Sequence, residues 1–378
     1  MKRIGILGGT FNPVHREHIL LARAAKSQLN LDKLIVMPTY ISPHKDSKPA
    51  PSIDRLNMLK LAFSDDDGIE VSDYEINKKG KSYTFETVEH FKNQEDAEIF
   101  FICGSDMLTD FKTWRNPQRI LDACTLAVFG REDFFTDYSY ESEYFTKTFN
   151  KKYVKLNHIG KKLSSTKLRV YSMFSLSLDG LTDQKVENYI KENNLYQGDK
   201  YIEFVKTVLP QKRLIHTANV LVTALKKVKE LNLDEQKVII SCTLHDCAKY
   251  LDYKDFEGFL IDDDMPSPVI HAFLGAFIAE NRLGIKDKEI VDAVRYHTSG
   301  RANMTMLEKL VFVADMICEE RDYEGVDYLR SLYEKSDFEH CFRECLREEY
   351  IHLQNKKGNI YFETLNAFNY YINQKKEG

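Results

Sequence analysis

The chain is short of the features that mark secreted, membrane-spanning and nucleic-acid-coating proteins. None of its 7 cysteines belongs to a C-x-x-C pair, and an odd number scattered from Cys103 to Cys345 speaks against a disulfide framework. A reduced, cytoplasmic protein is expected. Cys341 and Cys345 lie one helical turn apart, but without a second pair they read as small buried hydrophobes. No apolar run approaches the roughly 18 residues that span a bilayer, so no membrane segment is expected. The basic start is followed by an apolar run of only Ile4–Leu7 before a glycine turn, which reads as a first β-strand, not a signal peptide. Positive charge is not in excess: a net charge of −5 argues against a nucleic-acid or membrane surface. It still allows a phosphate-rich small substrate held by local basic groups. Glycine and proline are few, 17 and 9, and Trp114 is the only tryptophan.

What is present is the composition of a soluble globular protein, 43% apolar and 29% charged, in a chain of 378 residues that is long for one core. The first half alternates strand and helix signals. Strands are expected at Arg3–Leu7, Lys33–Met37, Ile69–Val71, Tyr74–Ile76, Glu98–Cys103, Leu126–Phe129 and Tyr153–His158. Helices are expected over His15–Leu29, Ile53–Ser64, Thr84–Lys92, Pro117–Ala123 and Asp183–Asn193, with a further helical pattern from Ser164. Residues 131–150 show no clear period and read as a surface loop. Such alternation predicts a parallel sheet. After Gln197–Gly198 almost no alternating run occurs. Helical spacing recurs over Lys200–Leu209, Ile215–Leu231, Glu235–Leu251, Val269–Leu283, Asp287–His297, Met306–Ile317, Asp337–Gln354 and Phe362–Asn373. An α/β domain over 1–196 and an all-α domain over 200–378 are therefore expected.

The first chemical signal is Gly8-Gly9-Thr10-Phe11-Asn12-Pro13-Val14-His15-Arg16-Glu17-His18, set between the first strand and the first helix. Two glycines let the backbone approach a phosphate, and the helix start turns N–H groups and a positive dipole end toward an anion. His15 and His18 share one helical face at i and i+3, where they can steady charge that builds during phosphate transfer. The spacing is neither that of a dinucleotide fingerprint nor that of a Walker loop.

This stretch resembles the signature of the nucleotidyltransferase superfamily, with its Rossmann-like fold, and the rest of the first half is similar to bacterial nicotinate mononucleotide adenylyltransferases. Four further segments fall in order: Ser42-Pro43-His44-Lys45; Ser82-Tyr83-Thr84; Gly104-Ser105-Asp106-Met107 with Trp114-Arg115; and Leu163 to Arg169. The resemblance implies transfer of AMP from ATP to a pyridine mononucleotide, with Mg²⁺ accompanying ATP and pyrophosphate released. It implies that His15 and His18 contact the ATP phosphates, on a turn formed by Gly8, Gly9, Thr10 and Phe11. Lys45 and Arg169 become phosphate clamps, and Ser164, Ser165 and Thr166 open a helix that receives phosphate oxygens. Gly104 is among the residues that bind nucleotide, Asp106 falls at the nucleotide ribose or metal, Trp114 stacks on the pyridine ring and Thr84 lies near its carboxylate. Nicotinamide mononucleotide is the alternative acceptor. Glu17 departs from the pattern by replacing the glycine between the histidines; a carboxylate there repels phosphates unless it turns away or is paired.

In the second half, four of six histidines, His216, His245, His271 and His297, recur at intervals of 29, 26 and 26 residues, with Asp246 beside His245 and Asp315 further on. Imidazole and carboxylate together suit iron, manganese, zinc or magnesium. Adjacent His and Asp on a helix project about 100° apart, so Asp246 can bridge two metals or share one. The set resembles the HD phosphohydrolase superfamily, and more closely its bacterial branch that splits diadenosine tetraphosphate symmetrically into two ADP. That resemblance implies hydrolysis by a metal-activated water, with iron or manganese as the cofactor. His216, His245, Asp246 and Asp315 form the basic ligand set; His271 and His297 complete a second site, and Lys249, Arg301 and Arg321 contact phosphate. Two departures lie beside the pocket: Ala218–Asn219 stand where the branch has a glycine, and Cys318–Glu319 replace Glu-Pro. The expected partners are small nucleotides, homo-oligomerisation being left open. The alternative for this half is another nucleotide substrate or a nucleotide-sensing module.

Overall fold

The computed structural model describes residues 1–41, 49–94, 96–131, 136–262, 265–335, 337–356 and 360–373. The chain forms two compact units, residues 1–172 with 177–196, and residues 173–176 with 197–378.

The first unit runs β1 (Lys2–Gly9), α1 (Arg16–Gln28), β2 (Lys33–Pro38), α2 (Ser52–Ala62), β3 (Ile69–Val71), α3 (Tyr74–Lys78), α4 (Thr84–Gln94), β4 (Ala97–Gly104), α5 (Ser105–Thr109), α6 (Pro117–Ala123), β5 (Thr125–Arg131), α7 (Tyr138–Phe149), β6 (Val154–Gly160), α8 (Ser165–Met173) and α9 (Gln184–Glu192). All six strands are parallel, in the order β3-β2-β1-β4-β5-β6. Burial on both faces explains why β1 and β4 read as continuous apolar runs. Along β1, Ile4 and Ile6 enter one core with Ile35, Met37 and Phe101, whereas Leu7 enters the other with Leu34, Val36 and Ile102. Strand order reverses between β1 and β4, and in sheets of this kind ligands bind beyond the carboxyl ends of the strands at that switch point. Gly8–Gly9 and Gly104 are those ends.

The second unit is helical throughout its described residues: α10 (Lys200–Val208), α11 (Gln211–Leu225), α12 (Glu235–Leu244), α13 (Ser267–Asn281), α14 (Lys288–Arg295), α15 (Met306–Ile317), α16 (Val326–Lys335), α17 (Phe338–Asn355) and α18 (Phe362–Tyr371). Asp199, Asp234 and Asp287 cap α10, α12 and α14 by accepting backbone N–H groups, and Thr305 with Glu308 forms a capping box on α15. Among the described residues, no helix is long and apolar enough to cross a membrane. Cys341 and Cys345 are both buried, as small hydrophobes would be.

Several elements differ from expectation. Tyr74–Ile76 is helix, not strand, because Glu75 turns inward: its Oε1 accepts the Thr87 hydroxyl at 2.6 Å. The expected loop 131–150 contains α7, whose start is fixed by Asp137 accepting from the N–H groups of Ser139 and Tyr140 at 3.1 Å each. Phe145 supplies its buried side; serines and tyrosines on the other positions hide the period. The helix expected over Glu235–Leu251 stops at Leu244, and His245 and Asp246 occupy the turn that follows.

Burial pushes the Glu75 carboxyl above the ordinary glutamate range, partly offset by its hydrogen bonds to Thr87 and Ser82. A carboxyl whose folded-state pKa is raised contributes stability at low pH that is lost as pH rises through that value. Glu75→Gln is therefore expected to raise Tm at pH 8 more than at pH 4. Melting curves across that range would show a constant difference if Glu75 titrates at the same pH in the folded and unfolded chain.

Candidate active sites

In the first unit, the turn after β1 is tied to its surroundings through its carbonyl groups. The Arg55 guanidinium, 1% exposed, donates to Thr10 O at 2.8 Å, Ala50 O at 3.0 Å and Tyr40 O at 3.3 Å. Arg169 Nη1 donates to Asn12 O at 2.9 Å, the Ser165 hydroxyl to Pro13 O at 2.8 Å and the Thr182 hydroxyl to Val14 O at 2.9 Å. Asn12 Oδ1 accepts from Ala50 N–H at 3.0 Å and from the Tyr196 hydroxyl at 2.8 Å. Phe11, between two such carbonyls, holds φ at +46°, and a Cβ on Gly9 would stand 3.0 Å from its ring. Turn and helix start are thus held in one conformation before any ligand arrives.

His15 caps α1, and its ring stacks on that of His18, centroids 3.5 Å apart; Phe11 meets His18 edge-on at 4.9 Å. His18 Nδ1 accepts the His15 backbone N–H at 3.2 Å, so neutral His18 carries its proton on Nε2, as a donor. Glu17 turns away to β6, where Oε2 accepts the Lys161 N–H at 3.0 Å. Ser164 caps α8 by accepting Lys167 N–H, and Thr166 Oγ1 accepts from Arg169 Nη2. Ser82, beside Thr84, accepts the Tyr40 N–H at 3.0 Å, which links that segment through Arg55 to the turn. Asp106 lies in the first turn of α5, after Gly104. Trp114 is 8% exposed and packs on Phe101 and Phe111, with centroids at 6.0 and 5.3 Å; most of the ring belongs to the core. Lys45 and its segment 42–45 lie outside the described residues. The sequence reading did not single out Arg55, Thr182 or Tyr196.

In the second unit, the two oxygens of Asp246 face two different groups. Oδ1 lies 2.9 Å from His271 Nε2 and 3.7 Å from His297 Nε2. Oδ2 lies 3.6 Å from His216 Nε2 and 3.5 Å from His245 Nε2, and His216 Nε2 is 3.0 Å from Asp315 Oδ1. The backbone sets the ring orientations: His245 Nδ1 meets Cys242 O at 2.7 Å and His297 Nδ1 meets Val294 O at 2.8 Å. Those Nδ1 atoms carry protons, which leaves each Nε2 lone pair facing inward when the ring is neutral. Nε2 atoms meet in pairs, His245 with His216 at 3.4 Å and His271 with His297 at 3.3 Å. Lone pairs converging beside carboxylates fit a cation. The donor atoms of His216, His245 and Asp246, and those of Asp246, His271 and His297, each lie within 4.8 Å of one another.

Charge in the cluster is balanced by neighbours. Arg213 Nη1 donates to Asp246 Oδ2 at 2.7 Å, a role the sequence reading missed. Burial opposes ionisation of Asp246, yet His245, His271 and His297 hold its carboxyl well below the usual range. Burial lowers His216, but Asp315, Cys318 and Glu320 outweigh it and raise it to about 11; burial draws His271 down to about 4. Lys249 Nζ reaches His271 Nε2 at 3.1 Å from the exposed edge of the cluster. Arg321 ion-pairs with Asp315 Oδ1 and donates to Asp315 O at 2.8 Å, which makes it a partner of a ligand candidate. The Arg301 guanidinium is committed to Glu308 at 2.6 and 2.8 Å and lies over the Tyr296 ring. Glu308 is 0% exposed, and a buried carboxylate needs that partner.

Residues 6–170 match the Cytidylyltransferase-like family, and residues 213–318 match the HD domain. Fold and clusters define the class: an enzyme with a nucleotidyltransferase unit followed by an HD unit. A Mycoplasma genitalium protein named "Probable nicotinate-nucleotide adenylyltransferase/Ap4A hydrolase" is 30% identical over 331 residues, 85% of this chain and 89% of that protein. A Clostridium botulinum "Probable nicotinate-nucleotide adenylyltransferase" is 43% identical over 201 residues, 53% of this chain and 100% of that protein. Among solved structures, a Clostridium acetobutylicum protein described as a "predicted HD superfamily hydrolase involved in NAD metabolism" shares 30% identity. It covers 47% of this chain and 97% of its own, with a TM-score of 0.42. The chain belongs to the nicotinate-nucleotide adenylyltransferase family, in the form that carries an HD domain behind the transferase unit.

Arg301→Met is expected to destabilise the second unit by about 3 kcal/mol, the cost of leaving a buried carboxylate unpaired. Denaturant unfolding measures it; unchanged stability with lost turnover would restore the phosphate-contact reading.

Proposed function

We propose that the chain is a bifunctional nucleotide enzyme. Its first unit joins ATP and nicotinate mononucleotide into nicotinate adenine dinucleotide, and its second hydrolyses diadenosine tetraphosphate to two ADP.

For the first unit, the turn Thr10–His15 carries the reading, because it is fixed through its carbonyls at the sheet's switch point and opens directly into the His15/His18 pair. The acceptor's phosphate oxygen bonds to the α-phosphorus of ATP while the bond from that phosphorus to the bridging oxygen breaks and pyrophosphate leaves. The nucleophile is already ionised, so the unit's task is alignment and charge neutralisation. The His18 Nε2 donor and the start of α1 face that charge, with Mg²⁺ arriving on ATP. Glu17, tied to Lys161, does not oppose it. Product analysis with ATP and Mg²⁺ is expected to show dinucleotide and pyrophosphate, with turnover higher on nicotinate than on nicotinamide mononucleotide. His18→Ala is expected to lower kcat by about 10²–10³. Equal turnover by the variant would remove His18 from the mechanism, and a preference for nicotinamide mononucleotide would reassign the acceptor.

For the second unit, the two-faced Asp246 carboxylate carries the reading. His216, His245, Asp246 and Asp315 would hold one divalent metal, and Asp246, His271 and His297 a second. Nitrogen and oxygen donors without thiolate suit iron or manganese. Such a pair, when bound, supplies Lewis acidity toward water and phosphate. Lys249 stands where it can meet a phosphate oxygen. Hydrolysis adds a water oxygen to one of the two central phosphorus atoms and breaks the central bridging P–O bond. With Mn²⁺ or Fe²⁺ added, the full chain is expected to convert diadenosine tetraphosphate to ADP alone. Asp246→Asn is expected to lose both metal uptake and about 10³-fold in hydrolysis while dinucleotide synthesis continues. Intact substrate after loading with either metal would favour the nucleotide-sensing alternative.

A further inference from the structure

We propose that Asn219 and Glu320 form a positioning relay behind His216 that sets how tightly this chain holds its metal, a reading that rests on the metal site proposed above. Both places where the second half departs from the HD pattern, Ala218–Asn219 and Cys318–Glu319, come together at the far edge of the His216 ring. Asn219 follows His216 by one turn of α11 and is 5% exposed. Its Nδ2 donates to Glu320 Oε2 at 2.7 Å, and Glu320 Oε1 accepts from His216 Nδ1. The buried Cys318 thiol stands 3.7 Å from that same nitrogen and 3.4 Å from Glu320 Oε1. A glycine at position 219 would offer no side-chain donor, and a thiol at 318 is a weaker acceptor than a carboxylate. The carboxylate of Glu320 instead reaches back to the ring, steadied by Asn219.

A carboxylate on Nδ1–H fixes the ring and makes Nε2 a stronger donor to a cation. The turn that carries Glu320 is held by other means. Arg330 donates to Ile317 O at 3.0 Å, Cys318 O at 2.7 Å, Glu319 O at 3.1 Å and Arg321 O at 2.7 Å. Changing the Glu320 side chain therefore removes its bond to the ring and leaves the turn in place. Glu320 does not touch the reacting atoms; it acts through His216.

The test uses the full chain and Mn²⁺ alone as the probe, with affinity read by chelator competition well below the melting temperature. A variant that is merely less stable then binds as the wild type does. Glu320→Ala is expected to weaken Mn²⁺ binding by about ten- to a hundredfold. The isosteric Glu320→Gln, which keeps an acceptor but loses the charge, should fall in between, and Asn219→Ala should cost less than Glu320→Ala. The double variant should be no weaker than Glu320→Ala, because Asn219 acts through Glu320. Wild-type affinity in all four variants overturns the relay while leaving the metal site standing, and additive losses overturn it as well. A wild-type chain that takes up no Mn²⁺ overturns the metal site and the relay together.

Discussion

A carboxylate can leave water only where its charge is answered, and Asp246, 2% exposed, is answered from two helices and two turns. Arg213 and His216 reach it from α11, His271 from α13, His297 from the turn after α14, and His245 and Lys249 from its own segment. No one of these groups would offset the desolvation of an ionised carboxylate, and none of the elements could shift without uncovering it. The packing of the second unit is thus organised around a polar centre, with apolar helix faces outside it. That inversion is costly for stability. The metal binding proposed above would give that cost a reason.

The first unit solves a related problem with the opposite charge. Arg55 is a buried cation whose partners among the described residues are three carbonyl oxygens. Carbonyl dipoles disperse a guanidinium's charge without adding an anion beside the turn meant for phosphates. Burial lowers the Arg55 pKa only from a very high starting point, so the group stays charged. Arg169 and Ser165 take part in the same arrangement, Arg169 through Asn12 O and Ser165 through Pro13 O. A clamp on phosphate and a strut for the turn are compatible duties for Arg169, whose fork carries five N–H groups. The observed bonds assign the strut.

Residue types that are costly to place without a purpose were readable in the sequence. Histidines recurring with aspartate in helical territory, and a Gly-Gly turn running into His-x-x-His, each announce chemistry because surface and core rarely ask for such sets. The supporting groups were not readable. Arg55, Arg213 and Glu320 belong to residue types that mostly face water, and nothing in local periodicity separates a buried arginine from a solvated one. Arg301 shows the converse: the family segment from Tyr296 to Arg301 suggested phosphate, and its observed partner is a carboxylate seven residues on, buried by the packing of α15. Helix α7 and the end of α12 were misjudged for a similar reason, since an Asp137 cap and a His245 ring bonded to Cys242 O decide those ends.

Glu17 shows how a departure from a motif is to be weighed. A carboxylate between two phosphate-facing histidines looks damaging when only sequence distance is considered. On a helix, however, residues 15 and 18 share a face and residue 17 projects about 100° from its neighbour. That rotation carries the Glu17 side chain toward β6, where the Lys161 N–H receives it and His158 lies 4.0 Å away. In the first turn of α1 the same carboxylate also meets the favourable end of the helix dipole. The charge therefore acts on the side of the helix that packs on the sheet edge, and it fastens α1 to β6 through a bond that a glycine could not make. The replacement changes what holds the helix and leaves the face presented by His15 and His18 as it was.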